Sequence, residues 1–362
     1  MLETSNPILQ EDLANISKRC NFCHLANKTI LVTGAAGLIG CQIVLTLLYL
    51  NRTFNLNVKI LALARNREKI NQIFGSLLDR ENFEIIFADI CNSVKTADPI
   101  DYIIHCASPS QSKFFIENPV ETMRTIVYGT DNLLRLAKEK KVKSFVFLST
   151  MEVFGELCGA DGKSAAALKE NEYGYIDILK ARSSYPESKR LAESLCFAYF
   201  SQYKLPVKIA RLTQTIAPFA FAGDNRIAVY FAKCFLENRD IELLTSGALI
   251  RNTIYSADAI AAIFKILFEG KDSEAYNTAN KNAALSIYET AQMIAGKIAG
   301  GKIKVKAAKE EREDIGKETA HFSPETKLLL NTDKLEALGW SAEIGLEEMY
   351  KRLIEGMKYK DK

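Results

Sequence analysis

The feature that most restricts how this chain can fold is a strand that runs straight into a glycine-punctuated turn and an apolar helix. Thr29-Ile30-Leu31-Val32-Thr33 is a short apolar run rich in β-branched residues, Gly34-Ala35-Ala36-Gly37-Leu38-Ile39-Gly40 follows at once, and residues 41–50 have helical apolar spacing. A strand with so continuous an apolar run has to be covered on both faces, and parallel strands flanked by helices meet that need. The pattern recurs, with strand-like runs at 58–64, 83–87, 102–105, 144–148 and 207–211 and helical stretches at 119–138 and 185–203. This alternation predicts an α/β fold, a doubly wound parallel sheet of six or seven strands of the Rossmann type.

The glycines at 34, 37 and 40 have the GxxGxxG spacing. Small residues let such a turn pass close to a pyrophosphate, and the free amides at the helix N-terminus, those of Leu38 and Ile39 included, face its charge. Asp89 and Ile90 end the third strand, where the carboxylate suits an adenine amino group. Ala107 and Ser108 end the fourth with small residues beside the nicotinamide ribose. An NAD-binding unit usually carries an acid at the end of its second strand, whereas this chain reads Ala64-Arg65-Asn66-Arg67. Guanidiniums there favour a ribose 2′-phosphate, so NADP is expected over NAD, with solvated loop arginines as the plainer alternative.

Past residue 211 the spacing becomes irregular, broken by Pro218, Gly223, Gly247, Gly300 and Gly301. The reading is a helical N-terminal extension over 1–27, with Ile8, Leu13 and Ile16 near one face, and a dinucleotide-binding domain over 28–212 to which 236–272 returns. A smaller C-terminal substrate-binding domain then comprises 213–235 and 273–362. Lys and Arg number 47 against 44 Asp and Glu, a net charge of +3 with no basic block, which argues against a nucleic-acid partner. The apolar run 38–50 is interrupted by Gln42 and is shorter than the roughly 20 residues that cross a bilayer. With no basic-then-apolar leader at residue 1, a cytoplasmic protein is expected. The eight cysteines lie in apolar contexts, as reduced thiols do. Cys20-Asn21-Phe22-Cys23-His24 matches a haem-attachment string and half of a zinc site, but no second ligand pair accompanies it, and no metal is expected.

Tyr185-Pro186-Glu187-Ser188-Lys189 opens a helix, so Tyr185 and Lys189 share a face. A neighbouring ammonium and an oxidised nicotinamide favour the phenolate, which then takes a proton from a substrate hydroxyl. Thr150, at the end of the strand before, suits a hydrogen bond to the same oxygen. Phe219, Phe221 and Trp340 suit either base stacking or a core position.

These residues resemble the extended short-chain dehydrogenase/reductases, and among them the NAD(P)-dependent nucleotide-sugar epimerase/dehydratase family, over about residues 28–280. Ser149-Thr150-Met151-Glu152-Val153-Phe154-Gly155 is similar to the family segment that carries the catalytic Ser/Thr. Arg182-Ser183-Ser184-Tyr185 with Lys189-Arg190, and Gly223-Asp224-Asn225-Arg226-Ile227, look most like UDP-glucuronate decarboxylases. That resemblance implies catalytic roles for Tyr185, Lys189, Thr150 and Glu152, and substrate contacts from Arg182, Arg226, Arg251 and Gln214. Gln214 stands where the family has an Asn. It also implies a nucleotide-diphosphate sugar as substrate, oxidation at sugar C4, and a homodimer formed by the helices at 119–138 and 185–203. Dehydratases of this type place an Asp after the Thr; here Met151 cannot donate a proton. A 4-epimerase remains open, and after it a 4,6-dehydratase or a 4-keto reductase, as does, outside catalysis, a dinucleotide-sensing regulator.

Overall fold

A computed structural model describes residues 6–156, 167–308 and 327–359. Seven strands form one parallel sheet: β1 (Thr29–Thr33), β2 (Lys59–Ala64), β3 (Phe83–Phe87), β4 (Tyr102–His105), β5 (Ser144–Thr150), β6 (Val207–Leu212) and an edge strand, Ala275–Thr278. From that edge strand the order runs β6, β5, β4, β1, β2, β3, so the winding reverses between β4 and β1. Successive side chains alternate between two buried layers, as the pleat requires. Ile30, Val32, Val146 and Leu148 enter one apolar core, and Leu31, Phe145 and Phe147 the other. Helix α2 (Leu38–Phe54) covers the first face, while α5 (Pro119–Lys140) and α6 (Ser184–Tyr203) contribute Leu133, Leu134, Ala192 and Cys196 to the second.

The edge strand is Ala-Tyr-Asn-Thr, lying within the stretch that the sequence assigns to the substrate-binding part, and it pairs Ala275 with Ile209 and Thr278 with Leu212. The helix Ser256–Glu269 precedes it, packs on β5 and β6 and returns the chain to the sheet. Of the returning stretch 236–272, this helix alone joins the large sheet, since β8 (Ile241–Leu243) and β9 (Ile250–Tyr255) belong to small sheets beyond its carboxyl edge. There β9 is flanked by Ala284–Ser286 and Lys327–Leu328 and also pairs with β7 (Gln214–Ile216).

The extension forms α1 (Pro7–Ile16), with Pro7 at its first position and the Asn6 side chain accepting from the Leu9 amide. Its buried face is Leu9, Leu13 and Ile16, one residue out of phase with an expected Ile8, which is half-buried. Polar clamps secure it. Asp12 accepts from the Tyr255 hydroxyl at 2.6 Å and from Arg352 at 2.9 Å, and Arg19 pairs with buried Asp258 at 2.5 Å. Trp340 and Phe219 are core residues, the indole N–H donating to the Asp258 carbonyl, while Phe221 lies under the Lys69 ammonium. His24 packs on Phe268, and the Cys20 thiol, pushed up to about 11 by burial, donates to the Ala261 carbonyl. Among the described residues, no helix is long and apolar enough to cross a membrane.

Candidate active site

The carboxyl ends of β1 and β4 are neighbours at the reversal of strand order, where open parallel sheets leave a crevice. Gly34 leaves β1 with φ +66°, and a Cβ on it would lie 2.8 Å from both the amide nitrogen and the Cα of Ala107. A Cβ on Gly40 would lie 2.3 Å from the Gly34 carbonyl oxygen. Only glycine fits at either position. Gly37 donates to the Gly34 carbonyl at 2.8 Å and caps α2 without any side-chain bond. The Leu38 and Ile39 amides therefore have neither an intrahelical partner nor a capping side chain. A bare helix start at a cradle that any Cβ would fill fits the pyrophosphate of a dinucleotide.

Along the rim, the Cys91 amide donates to Asp89 at 2.9 Å and, with Arg65, holds that carboxyl below its usual range. Arg65 is two-thirds exposed and meets Asp89 at 3.5 Å, while Arg67 stacks on Phe87. Ile90 is buried against Gly129, and the Ser108 hydroxyl donates to the Pro109 carbonyl.

The reacting end is built by β5, which delivers Thr150, and by the first turns of α6, which stack Tyr185, Lys189 and Glu193 at intervals of four on one face. The Tyr185 ring lies flat on Phe115 at 4.2 Å. Burial raises the phenol well above its ordinary pKa, the Glu152 charge adds to this, and the Thr150 hydrogen bond and Arg182 oppose it. Lys189 carries the ammonium one turn further along α6. That ammonium donates to the Leu148 carbonyl at 2.7 Å, and its Nζ is 5.9 Å from the Tyr185 ring centre. Burial lowers Lys189 to about 8 against the pull of Glu193.

Glu152 follows β5 in a short 3-10 turn and accepts from Arg182 at 2.7 Å. Arg251, brought in by β9, lies within electrostatic reach of both, and its buried Nε has no hydrogen-bond partner among the described residues. One carboxylate among two guanidiniums leaves this cluster with a net positive charge. The other expected arginine is engaged. Arg226 forks onto Asp224 at 2.7 Å and donates to the Thr215 carbonyl, and Gln214 is exposed on β7. Met151 is buried.

A protein-family model described as the NAD dependent epimerase/dehydratase family matches residues 30–279. The chain belongs to that family. It is 27% identical over 331 residues to UDP-glucuronic acid decarboxylase 5 of Arabidopsis thaliana, covering 91% of this chain and 89% of the relative. It is also 27% identical over 338 residues to human dTDP-D-glucose 4,6-dehydratase, with the same coverages. The structure of UDP-glucose 4-epimerase from Thermotoga maritima with UDP-glucose superposes with a TM-score of 0.72 at 19% identity, covering 92% of this chain and all of that one, a likeness of fold.

For this family member, sequence reasoning missed two supports of the site. Glu193 is held by a bidentate bond to Arg211, itself 1% exposed and also bonded to Tyr173 and the Glu170 carbonyl. Arg211 is therefore a structural cation, unavailable to a phosphate. The signal was there, since Glu193 continues the Tyr185–Lys189 spacing. Phe115, on a short helix (Ser112–Glu117), gave none: its stacking on Tyr185 is a contact across 70 residues of chain.

Proposed function

We propose that the chain acts on a nucleotide-diphosphate sugar through oxidation at C4, and that its reaction is decarboxylation of a uronic acid, as in the UDP-glucuronic acid decarboxylases it is similar to. The observation that carries this is the buried Arg251 Nε, without a hydrogen-bond partner among the described residues, within electrostatic reach of the Arg182–Glu152 pair, whose charges act in turn on Tyr185. The substrate's diphosphate or its carboxylate satisfies it. Dehydration is disfavoured because the position after Thr150 is a buried methionine, and Glu152 is engaged as an acceptor by Arg182.

Gly34, Gly37, Leu38, Ile39 and Gly40 would hold the pyrophosphate, Asp89 and Ile90 the adenine side, and Ala107, Ser108 and Lys189 the nicotinamide ribose. When bound, oxidised NAD(P) supplies the hydride acceptor for the sugar carbinol and afterwards returns the hydride. Tyr185 takes the proton of the C4 hydroxyl while Thr150 donates to the same oxygen. The C5 carboxylate is then β to a ketone. As carbon dioxide leaves, the electron pair of the C5–C6 bond moves into an enolate whose oxygen Tyr185 and Thr150 stabilise, and a proton from solvent then adds at C5 to restore the ketone.

Arg65 and Arg67 follow β2, whose end carries no acid of its own, and although Arg65 meets Asp89 across the rim at 3.5 Å, these guanidiniums support NADP over NAD. Exposed Val120, Met123 and Tyr128 on α5, with Leu191 and Phe197 on α6, support a homodimer through these helices. Seven free thiols among the described residues fit a cytoplasmic protein. The experiment is incubation with a panel of UDP-, dTDP-, CDP- and GDP-sugars, uronic acids included, followed by mass spectrometry. A product lighter by carbon dioxide supports the reading; a product lighter by water, or an isomer from a neutral sugar alone, overturns it.

A further inference from the structure

His105, which no step above uses, ends β4, is 1% exposed, and has a hydrogen-bond partner at each ring nitrogen. Its Nε2 lies 3.2 Å from the Thr130 hydroxyl on α5, and that hydroxyl donates its proton to the Ile126 carbonyl at 2.6 Å. Thr130 can then only accept from the ring, which places the imidazole proton on Nε2. On the other side, Nδ1 lies 2.8 Å from the Thr33 hydroxyl at the end of β1, and the same oxygen takes the Ala107 amide at 3.2 Å. A lone pair on Nδ1 lets Thr33 donate to the ring while accepting from Ala107. The chain therefore runs one way, from the Ala107 N–H through Thr33, His105 and Thr130 to the Ile126 carbonyl, with every donor and acceptor used.

The other protonation states break it. With the proton on Nδ1, the bare Nε2 would face a hydroxyl whose proton is committed to Ile126. An imidazolium would leave the Thr33 hydroxyl proton without an acceptor in a buried place. The neighbours of the ring are Phe145, Phe147 and, as the charged group, Lys189. Burial and Lys189 push His105 down to about 3, so the ring is neutral. Ala107 at the near end of the chain is the residue whose backbone lies against Gly34, across the crevice at the reversal of strand order.

We infer that His105 is a positioning residue for the dinucleotide site: as the Nε2–H tautomer it aims the Thr33 hydroxyl that holds the Ala107 amide, and so keeps the turn after β4 seated against Gly34. This rests on the cofactor placement proposed above. Two measurements test it. Nitrogen-15 NMR of the cofactor-free chain, which has only three histidines, reads the tautomer directly, with His105→Phe assigning the signal. The expected result is a bare Nδ1, a protonated Nε2 and no titration between about pH 5 and 8. A protonated Nδ1, or titration near the ordinary histidine value, overturns the inference.

Calorimetry with NAD and NADP then reads the consequence. His105→Phe, which keeps an aromatic ring, and Thr33→Val should each weaken binding about tenfold. Thr33→Ser should bind as the parent does, and the double variant His105→Phe/Thr33→Val no more weakly than either single one, because both cut one chain. An undiminished affinity in His105→Phe, a Thr33→Ser variant as weak as Thr33→Val, or additive losses would each refute the role while the cofactor reading stands. A parent chain that binds neither dinucleotide would overturn the cofactor reading and the role together.

Discussion

Replacing Arg251 by methionine should separate stability from function. In the free chain the guanidinium is a poor tenant: its buried Nε has no partner among the described residues, Arg182 repels it, and the Glu152 carboxylate that attracts it is already bonded to Arg182. Burial lowers its pKa, the signature of a cation that folding disfavours. Exchanging an uncompensated cation for an apolar side chain of similar length is commonly neutral or stabilising, so unfolding in denaturant should shift by about 0 to 1 kcal/mol toward greater stability. The substrate reverses the sign. An anion bonded to one guanidinium through two charge-assisted hydrogen bonds, each about 1.5 kcal/mol net, loses about 3 kcal/mol when the guanidinium goes. That amounts to roughly 150-fold in kcat/KM. Arg251→Lys should recover part of it, since a point charge cannot reproduce the fork. The assay is steady-state kinetics by mass spectrometry beside denaturant melts of the same variants. A methionine variant that loses more than about 1 kcal/mol of stability, yet keeps kcat/KM within about threefold, would refute the reasoning and make Arg251 a structural residue.

Tyr185→Phe should keep the ring on Phe115 and the melting temperature, and should lower kcat by about 100- to 10,000-fold; near-normal turnover would sink the proton-transfer role. Arg65→Ala should weaken NADP binding and leave NAD binding unchanged, since Arg65 otherwise makes only an exposed 3.5 Å pair with Asp89; equal losses for both dinucleotides in calorimetry would count against it. Lys189, at about 8 when folded and 10.5 when unfolded, sheds its proton earlier in the native state, so the free chain should gain up to about 3 kcal/mol as pH rises through that window and be destabilised below it. Lys189→Met should abolish this rise, and denaturant midpoints that track pH identically in both chains would show the ammonium to be well solvated. Sedimentation should give a dimer at micromolar concentration and a monomer for Tyr128→Glu/Leu191→Glu, and a monomeric parent would dismiss the α5–α6 interface.

What the sequence determined by itself is whatever depends on neighbours within a few positions. The strand-to-glycine-to-helix unit, the parallel sheet and the shared face of Tyr185 and Lys189 follow from periods of two and 3.6 and from the lack of a Cβ at Gly34 and Gly40. The glycines are decided locally because the clash they avoid is with backbone. Tertiary structure alone decided which charges are free. Arg226 and Arg251 read alike in the sequence, yet Arg226 is spent on Asp224, whereas the Arg251 Nε has no hydrogen-bond partner among the described residues. Partners of a long side chain come from whatever the sheet brings within reach, and for Arg251 that is a strand of another sheet. The seventh strand escaped notice for a similar reason. Ala275–Thr278 has too few apolar residues to declare a period, and what makes it a strand is the edge of β6. The same holds for His105, a lone histidine in the sequence, whose tautomer is fixed by hydroxyls from two other elements because a buried proton must have somewhere to go.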